Sequence, residues 1–135
     1  MADEEPRAGS EQRLLVADSD VLVRHAIADY LRRCGYVVIE AASFEEAHAV
    51  LAAPQATPDL VLSDVELAGG GNGFTLRSLA AREWPHIEVI LAGTVEAAAR
   101  TAGDLCERGP HLARPHDPQL VLERIRRALA SRQRR

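Results

Sequence analysis

Short aliphatic runs alternate with amphipathic segments five times along this chain, and that alternation constrains the fold more than any other feature. The apolar runs occupy residues 14–17, 36–39, 60–62, 89–92 and, more weakly, 109–113. Runs this short and this continuously apolar are typical of strands that are buried on both faces of a parallel sheet. The segments between them repeat apolar residues at helical spacing, which predicts alternating strands and helices.

Local signals mark where several of the predicted helices begin and end. Ser43 and Glu46 form the pattern of a capping box, and Gly35 is placed to end the helix before it. Asp117 followed by Pro118 is an N-cap with proline at the first helical position. The sequence therefore predicts an α/β doubly wound (βα)5 fold of flavodoxin-like order, a five-stranded parallel sheet with strands arranged 2-1-3-4-5.

The length and the composition indicate one soluble domain with two short tails. The 135 residues fit a single domain over residues 13–131, with a disordered tail at 1–12 and a basic tail at 132–135. Aromatic residues make up only 4%, so the core must be aliphatic. A net charge of −4 argues against a nucleic-acid binder. No apolar run approaches the ~20 residues that span a bilayer, which argues against a membrane protein.

The chain contains two cysteines, Cys34 and Cys106, and their separation matches neither a metal site nor a redox motif. Disulfides are rare in the reducing cytosol. The sequence therefore predicts two reduced, unpaired cysteines and a cytoplasmic location.

Acidic residues follow two strands that the predicted order makes neighbours. Asp18 and Asp20 come directly after the first strand, and Asp64 ends the third. Ligand sites in such folds lie at the carboxyl ends of the strands, so these carboxylates should converge in one crevice. Clustered carboxylates raise one another's pKa and are usually kept for a cation, a proton or a nucleophile. For Asp20 alone, capping of the first helix is the favoured interpretation.

Four segments in order resemble those of response-regulator receiver domains, the phosphate-accepting modules of two-component signalling. Residues 14–24 resemble the family's opening, and residues 59–73 resemble its phosphorylation-site strand and loop. Residues 84–91 resemble the entry to its fourth strand, and residues 112–115 resemble the turn after its fifth. The resemblance covers roughly residues 13–130.

The resemblance implies that Asp64 accepts a phosphoryl group from a phosphohistidine. It also implies a Mg²⁺ site made of Asp18, Asp64 and the backbone carbonyl of Glu66. Ser19 stands where the family has a second acid, and charge count sets the affinity for such cations. Weak or absent Mg²⁺ binding is therefore expected, with Asp20 a substitute only if the loop bends inward.

The residues that contact the phosphoryl group in the family are also altered. Gly93 stands where the family has a Thr or Ser, and Thr94 comes one residue late. Arg114 replaces the family's lysine, keeping the charge but not its geometry. His111 replaces its switch aromatic, and Pro115 is expected to follow a cis peptide bond.

Three functions remain open at this point. The first is a single-domain response regulator, not an enzyme, that is phosphorylated on Asp64 by a histidine kinase or a histidine phosphotransfer protein. It would act through contacts with a downstream protein, and a homodimer is allowed. The alternative is a phosphate-independent pseudo-receiver that serves as an interaction module. A weaker alternative is a small flavodoxin-like enzyme that binds a nucleotide.

Overall fold

Four of the predicted strands form a parallel sheet. The computed structural model of the protein describes residues 12–108 and 117–133. Within them the strand order is β2-β1-β3-β4, and all three pairings are parallel. The strands are β1 (Arg13–Ala17), β2 (Val37–Ala41), β3 (Leu60–Asp64) and β4 (Glu88–Ala92). This confirms the α/β parallel architecture and the order of the first four strands.

Five helices connect or follow these strands: α1 (Val21–Arg33), α2 (Phe44–Ala52), α3 (Gly73–Glu83), α4 (Val95–Arg108) and α5 (Pro118–Gln133). The predicted caps of α1, α2 and α5 are present. The Asp20 carboxylate accepts from Leu22 N, and the Ser43 hydroxyl accepts from Glu46 N. Asp117 accepts from Gln119 N before α5. These caps satisfy backbone donors that have no partner inside a helix.

The sheet is covered on both faces, so side chains alternate between two aliphatic cores. Leu14 and Val16 of β1 pack with α1, α4 and α5 on one face. Leu15 and Ala17 point the other way and pack with α2 and α3. This alternation is the two-residue period of a strand, and it explains why the runs are apolar throughout.

α4 is joined covalently to the end of α1, which corrects the expectation of two unpaired cysteines. Cys34 and Cys106 form a disulfide across a Cα–Cα distance of 5.3 Å, and both residues are buried. Beside it, the Tyr36 hydroxyl donates to the carbonyl oxygen of Leu105 at 2.5 Å. Sequence spacing could not indicate this pair because 72 positions separate the two cysteines.

α5 runs antiparallel to both of its neighbouring helices. Its first residue, Pro118, packs against Gly103 in the second half of α4, where an added Cβ would lie 2.7 Å from the ring. Further along α5, ion pairs connect it back to the beginning of α4 and along α1: Arg126 with Glu96, Arg124 with Asp29, and Arg132 with Asp20.

The direction of α5 is not the one that a fifth β–α unit requires. In a (βα)5 fold with all strands parallel, the helices that follow the first and fifth strands run the same way. Here α1 and α5 run in opposite directions. The predicted fifth strand, residues 109–113, lies outside the described residues. The last turn of α5 therefore lies beside the beginning of α1, at the carboxyl edge of the sheet.

Of the two predicted tails, the structure describes part of the C-terminal one and almost none of the N-terminal one. The basic tail predicted at 132–135 begins inside α5, because this helix extends through Gln133. The tail predicted at 1–12 lies almost wholly outside the described residues. Over the ranges that are described, no helix has both the length and the apolar content needed to cross a bilayer.

Candidate functional site

Asp18 and Asp64 lie at the same edge of the sheet, as predicted. Ala17 pairs with Ser63 across β1 and β3, so the next residue on each strand, Asp18 and Asp64, follows in the same register. Neighbouring strands are about 4.8 Å apart. Asp18, Asp20 and Asp64 line one crevice of about 250 Å³ at this edge.

The lining of the crevice combines acidic and apolar groups. The three carboxylates line it together with aliphatic side chains of β1, β3, α1, α4 and α5, among them Val16, Leu62, Ile27, Ala98 and Leu129. Apolar walls keep water away from part of the acidic group, which makes its charge more costly.

The Asp18 carboxyl is affected most by this environment. The pKa of Asp18 is raised to about 6, mainly by burial, and the neighbouring Asp64 and Asp20 carboxylates act in the same direction. Its hydrogen bond from Asp20 N, at 2.8 Å, and the charge of Arg24 act in the opposite direction. A carboxyl that ionises at such a cost is stabilised by a cation placed next to it.

Ser19 does not face the acidic pair. Its hydroxyl accepts a hydrogen bond at 2.8 Å from the backbone N–H of Ala68, in the loop between β3 and α3. On its other side the same loop is held by α2, where Glu45 accepts from Gly70 N at 2.6 Å and Phe44 N donates to Ala68 O. Ser19 is thus a loop contact in this structure rather than an oxygen ligand beside Asp18.

Asp20 is also committed to contacts of its own. One oxygen caps α1 at Leu22 N, and both oxygens face Arg132 of α5, at 2.8 and 3.4 Å. The hydrogen bond from Arg132 lowers the pKa of Asp20 below its usual range. The capping interpretation of Asp20 is therefore confirmed, and Arg132 is a partner that the sequence did not indicate.

Arg24 is a second cation at the crevice that the sequence interpretation missed. Its guanidinium donates to the Asp18 carbonyl oxygen at 3.1 Å and to Glu40 at 3.0 Å. The side chain is only 16% exposed. Its position one helical turn after the N-cap Asp20 was the available signal, because side chains four apart lie on the same face of a helix.

Asp64 and Glu66 begin the loop that follows β3. Asp64 is partly buried, and one of its carboxylate oxygens accepts from Glu66 N at 3.1 Å. The start of α3 packs closely behind it, since a Cβ on Gly73 would lie 2.4 Å from the Asp64 carbonyl oxygen. Asp64 is therefore held by the loop on one side and by α3 on the other.

The two residues that follow β4, Gly93 and Thr94, differ in their contacts. Gly93 and Thr94 both line the crevice and are exposed. Thr94 caps α4: its hydroxyl accepts from Ala97 N at 3.0 Å. Space is available at Gly93, where the nearest atom to an added Cβ would be Val65 Cγ2 at 3.8 Å.

The described residues bring together Asp18, Asp64 and Thr94, while Arg114, His111 and Pro115 lie outside them. In the described ranges, no three His, Cys, Asp or Glu side chains form a group that could hold a metal ion. The donor set near Asp64 is therefore a pair of carboxylates, Asp18 and Asp64, with the Glu66 carbonyl on the adjoining loop.

Comparison with known protein families identifies the family to which this domain belongs. The family model described as the response regulator receiver domain matches residues 14–128, nearly the whole described region. The chain belongs to the response regulator receiver domain family. Receiver domains are signalling modules of two-component systems, and the resemblance in the four sequence segments is thereby confirmed.

Curated relatives and solved structures agree with this assignment. Regulatory protein VirG of Agrobacterium fabrum is 31% identical over 134 residues, which is 98% of this chain and 52% of that protein. Transcriptional regulatory protein AruR of Pseudomonas aeruginosa is 33% identical over 118 residues, 84% of this chain and 48% of that protein. The chain spans about half the length of these curated relatives.

The receiver domain protein (CheY-like) of Methanospirillum hungatei has a similar fold. Its TM-score is 0.57 at 23% identity, and the match covers 93% of this chain and 98% of that one. This likeness supports the receiver fold as a whole.

Proposed function

We propose that this receiver domain accepts a phosphoryl group on Asp64 and acts through contacts with other proteins. The observation that supports this most directly is the placement of Asp64 at the carboxyl end of β3, across from Asp18 and in the same crevice. A carboxylate oxygen of Asp64 would attack the phosphorus of a phosphohistidine. The P–N bond would break as the P–O bond forms, leaving an acyl phosphate on Asp64. The ring nitrogen of the donor would keep the electron pair of the P–N bond, and the ring would take up one proton from solvent to become a neutral imidazole.

Asp18 and Asp64, with the carbonyl of Glu66, are the residues that would hold Mg²⁺. The high pKa of Asp18 supports a cation at this point, because a cation stabilises the ionised form. When bound, Mg²⁺ would offset the charge between the carboxylate and the phosphoryl oxygens. We expect weak binding, since Ser19 bonds to Ala68 N and Asp20 is paired with Arg132.

The donor would be a histidine kinase or a histidine phosphotransfer protein, and the output a contact with a downstream protein. We also propose a cytoplasmic location. Membership of the receiver domain family supports it, whereas the argument from unpaired cysteines does not hold once Cys34 and Cys106 are joined. A homodimer stays a prediction.

The second candidate is a pseudo-receiver whose partner binding does not depend on phosphate. Two contacts favour it: the Ser19 hydroxyl is bonded to the loop, and the Thr94 hydroxyl caps α4. Phosphate can shift two states only through its different interaction with each of them. Gly93 has no side chain, and the Thr94 hydroxyl already accepts a hydrogen bond from Ala97 N. We therefore expect phosphorylation to cause only a small conformational change.

Intact-mass spectrometry after incubation with a small phosphodonor and Mg²⁺ tests the reaction. We expect one added phosphoryl group in the wild type and none in Asp64→Asn. Ser78→Ala, a change on the exposed face of α3 away from the crevice, should still be modified. An unmodified wild type under these conditions would contradict the proposal and leave the pseudo-receiver.

The strength of the switch is a separate measurement. Partner affinity is compared for the wild type, Asp64→Asn and a beryllofluoride-treated sample. A change well above tenfold, about 1.4 kcal/mol of coupling, would contradict the weak-switch expectation. Equal affinity in all three would favour the pseudo-receiver.

A further inference from the structure

The ion pair between Arg132 and Asp20 connects two parts of the chain that a (βα)5 arrangement would keep apart. Arg132 lies in the last turn of α5, and Asp20 lines the crevice. The guanidinium approaches both carboxylate oxygens, at 2.8 and 3.4 Å. The pair exists because α5 runs antiparallel to α1, so the end of α5 reaches the carboxyl edge of the sheet.

Within residues 12–108 and 117–133, Asp20 differs from the other two carboxylates of the crevice because its side chain pairs directly with a cation on a distant helix. Asp18 accepts from the backbone N–H of Asp20, and Asp64 accepts from the backbone N–H of Glu66. Ser19, the residue between Asp18 and Asp20, is turned to Ala68. Asp20 is therefore the acid nearest in sequence that could add negative charge to the pair formed by Asp18 and Asp64.

We infer that Arg132 is a positioning residue that holds Asp20 away from the Asp18–Asp64 pair and so keeps the affinity of the site for divalent cations low. Release of Arg132 would leave the Asp20 carboxylate with its contacts to the backbone N–H groups of Leu22 and Val23 at the start of α1. The freed carboxylate would then add an anionic oxygen near Asp18 and Asp64, and the number of such oxygens sets the affinity for a hard cation. This inference rests on the proposed function, because it concerns the same site.

The experiment measures binding of Mn²⁺ alone to the full chain at fixed ionic strength, from the electron paramagnetic resonance signal of free Mn²⁺. Arg132→Ala removes the partner, and Arg132→Lys keeps its charge. Arg124→Ala is the matched control: it removes an equally exposed arginine from the same helix, where its partner is Asp29 rather than Asp20. Asp20→Asn is made alone and combined with Arg132→Ala, since asparagine still caps a helix.

We expect Arg132→Ala to bind Mn²⁺ at least about threefold more tightly than the wild type. Arg132→Lys should stay close to the wild type, and Arg124→Ala should change by less than about twofold. Adding Arg132→Ala to Asp20→Asn should give no tightening, because the acid that Arg132 restrains is then absent.

Three results would overturn the inference: equal affinity in Arg132→Ala and wild type, the same gain in the Asp20→Asn background, or an Arg132→Ala protein that binds no Mn²⁺. The same gain in the Asp20→Asn background would mean that Arg132 lowers cation affinity only through its positive charge, and not by positioning Asp20. Mass spectrometry of the phosphodonor reaction decides the proposed function independently, because it reports on Asp64 and not on cation affinity.

Discussion

Removal of the disulfide between Cys34 and Cys106 should cost this domain a large part of its stability. The bond closes a loop with a sequence separation of 72 residues. The chain-entropy relation for a loop of that length gives about 4 kcal/mol at 25 °C, lost when the cross-link no longer restrains the unfolded chain. For a domain of this size, that loss lowers the melting temperature by on the order of 10 °C.

The assay is thermal unfolding followed by circular dichroism, with and without a phosphine reductant. Wild type should melt on the order of 10 °C lower after reduction. The double variant Cys34→Ala/Cys106→Ala should melt near the reduced wild type, and the reductant should not change it. Both sites are buried, so alanine is chosen because it introduces no polar group into the core.

Thiol alkylation provides the direct check on the bond. Protein purified without reductant and unfolded in denaturant should take up no iodoacetamide, and reduction should expose both thiols. Full alkylation before reduction, together with a melting temperature that does not respond to the reductant, would refute the covalent link between α1 and α4. The two cysteines would then be reduced and unpaired, as their spacing in the sequence predicts.

The site itself gives three further expected outcomes. Burial raises the pKa of the Asp18 carboxyl to about 6. Between about pH 4 and pH 6 the folded protein therefore holds a proton that the unfolded chain has lost, so the free energy of unfolding should fall as the pH rises through this range. Asp18→Asn should remove that slope in metal-free urea titrations and stabilise the protein at pH 7. The full shift in pKa corresponds to about 3 kcal/mol, and screening of the partly exposed carboxyl by solvent reduces the expected gain to about 2 kcal/mol. Gly73→Ala should destabilise the domain and reduce phosphorylation, since its Cβ would lie 2.4 Å from the Asp64 carbonyl oxygen; a normal melting temperature would contradict this. Gly93→Thr should fold normally, with Val65 3.8 Å from the new Cβ, and should enlarge the effect of beryllofluoride on partner affinity; an unchanged effect would show that the missing hydroxyl is not what weakens the switch.

The parts of the fold that could be predicted are those whose signals are local. A buried strand is apolar throughout and a cap is a short polar pattern, so β1, β3 and the beginnings of α1 and α2 were all indicated by a few neighbouring residues. Asp18 and Asp64 were paired correctly for the same reason. Once β1 and β3 are neighbours and parallel, the residues that end them must meet at one edge.

The direction of α5 could not be predicted in this way. Its apolar face, with Val121, Leu122 and Ile125 buried, would suit a helix running either way along the core. Direction is decided by contacts between distant residues, here the close approach of Pro118 to Gly103 and the ion pair of Arg126 with Glu96. The same limit applies to the disulfide, because a count of two cysteines does not say whether they meet.

The positions of the acidic groups at this site can therefore be predicted from the sequence, whereas the positions of the cationic groups cannot. Asp18 and Asp64 are short side chains on strand ends, so the sheet register alone fixes where their charges lie. Arg24 and Arg132 carry their charge on long side chains of two helices, and where that charge arrives depends on how each helix packs. The order of the strands is enough to bring these two carboxylates together, but the cations that set their environment have to be located in the folded chain.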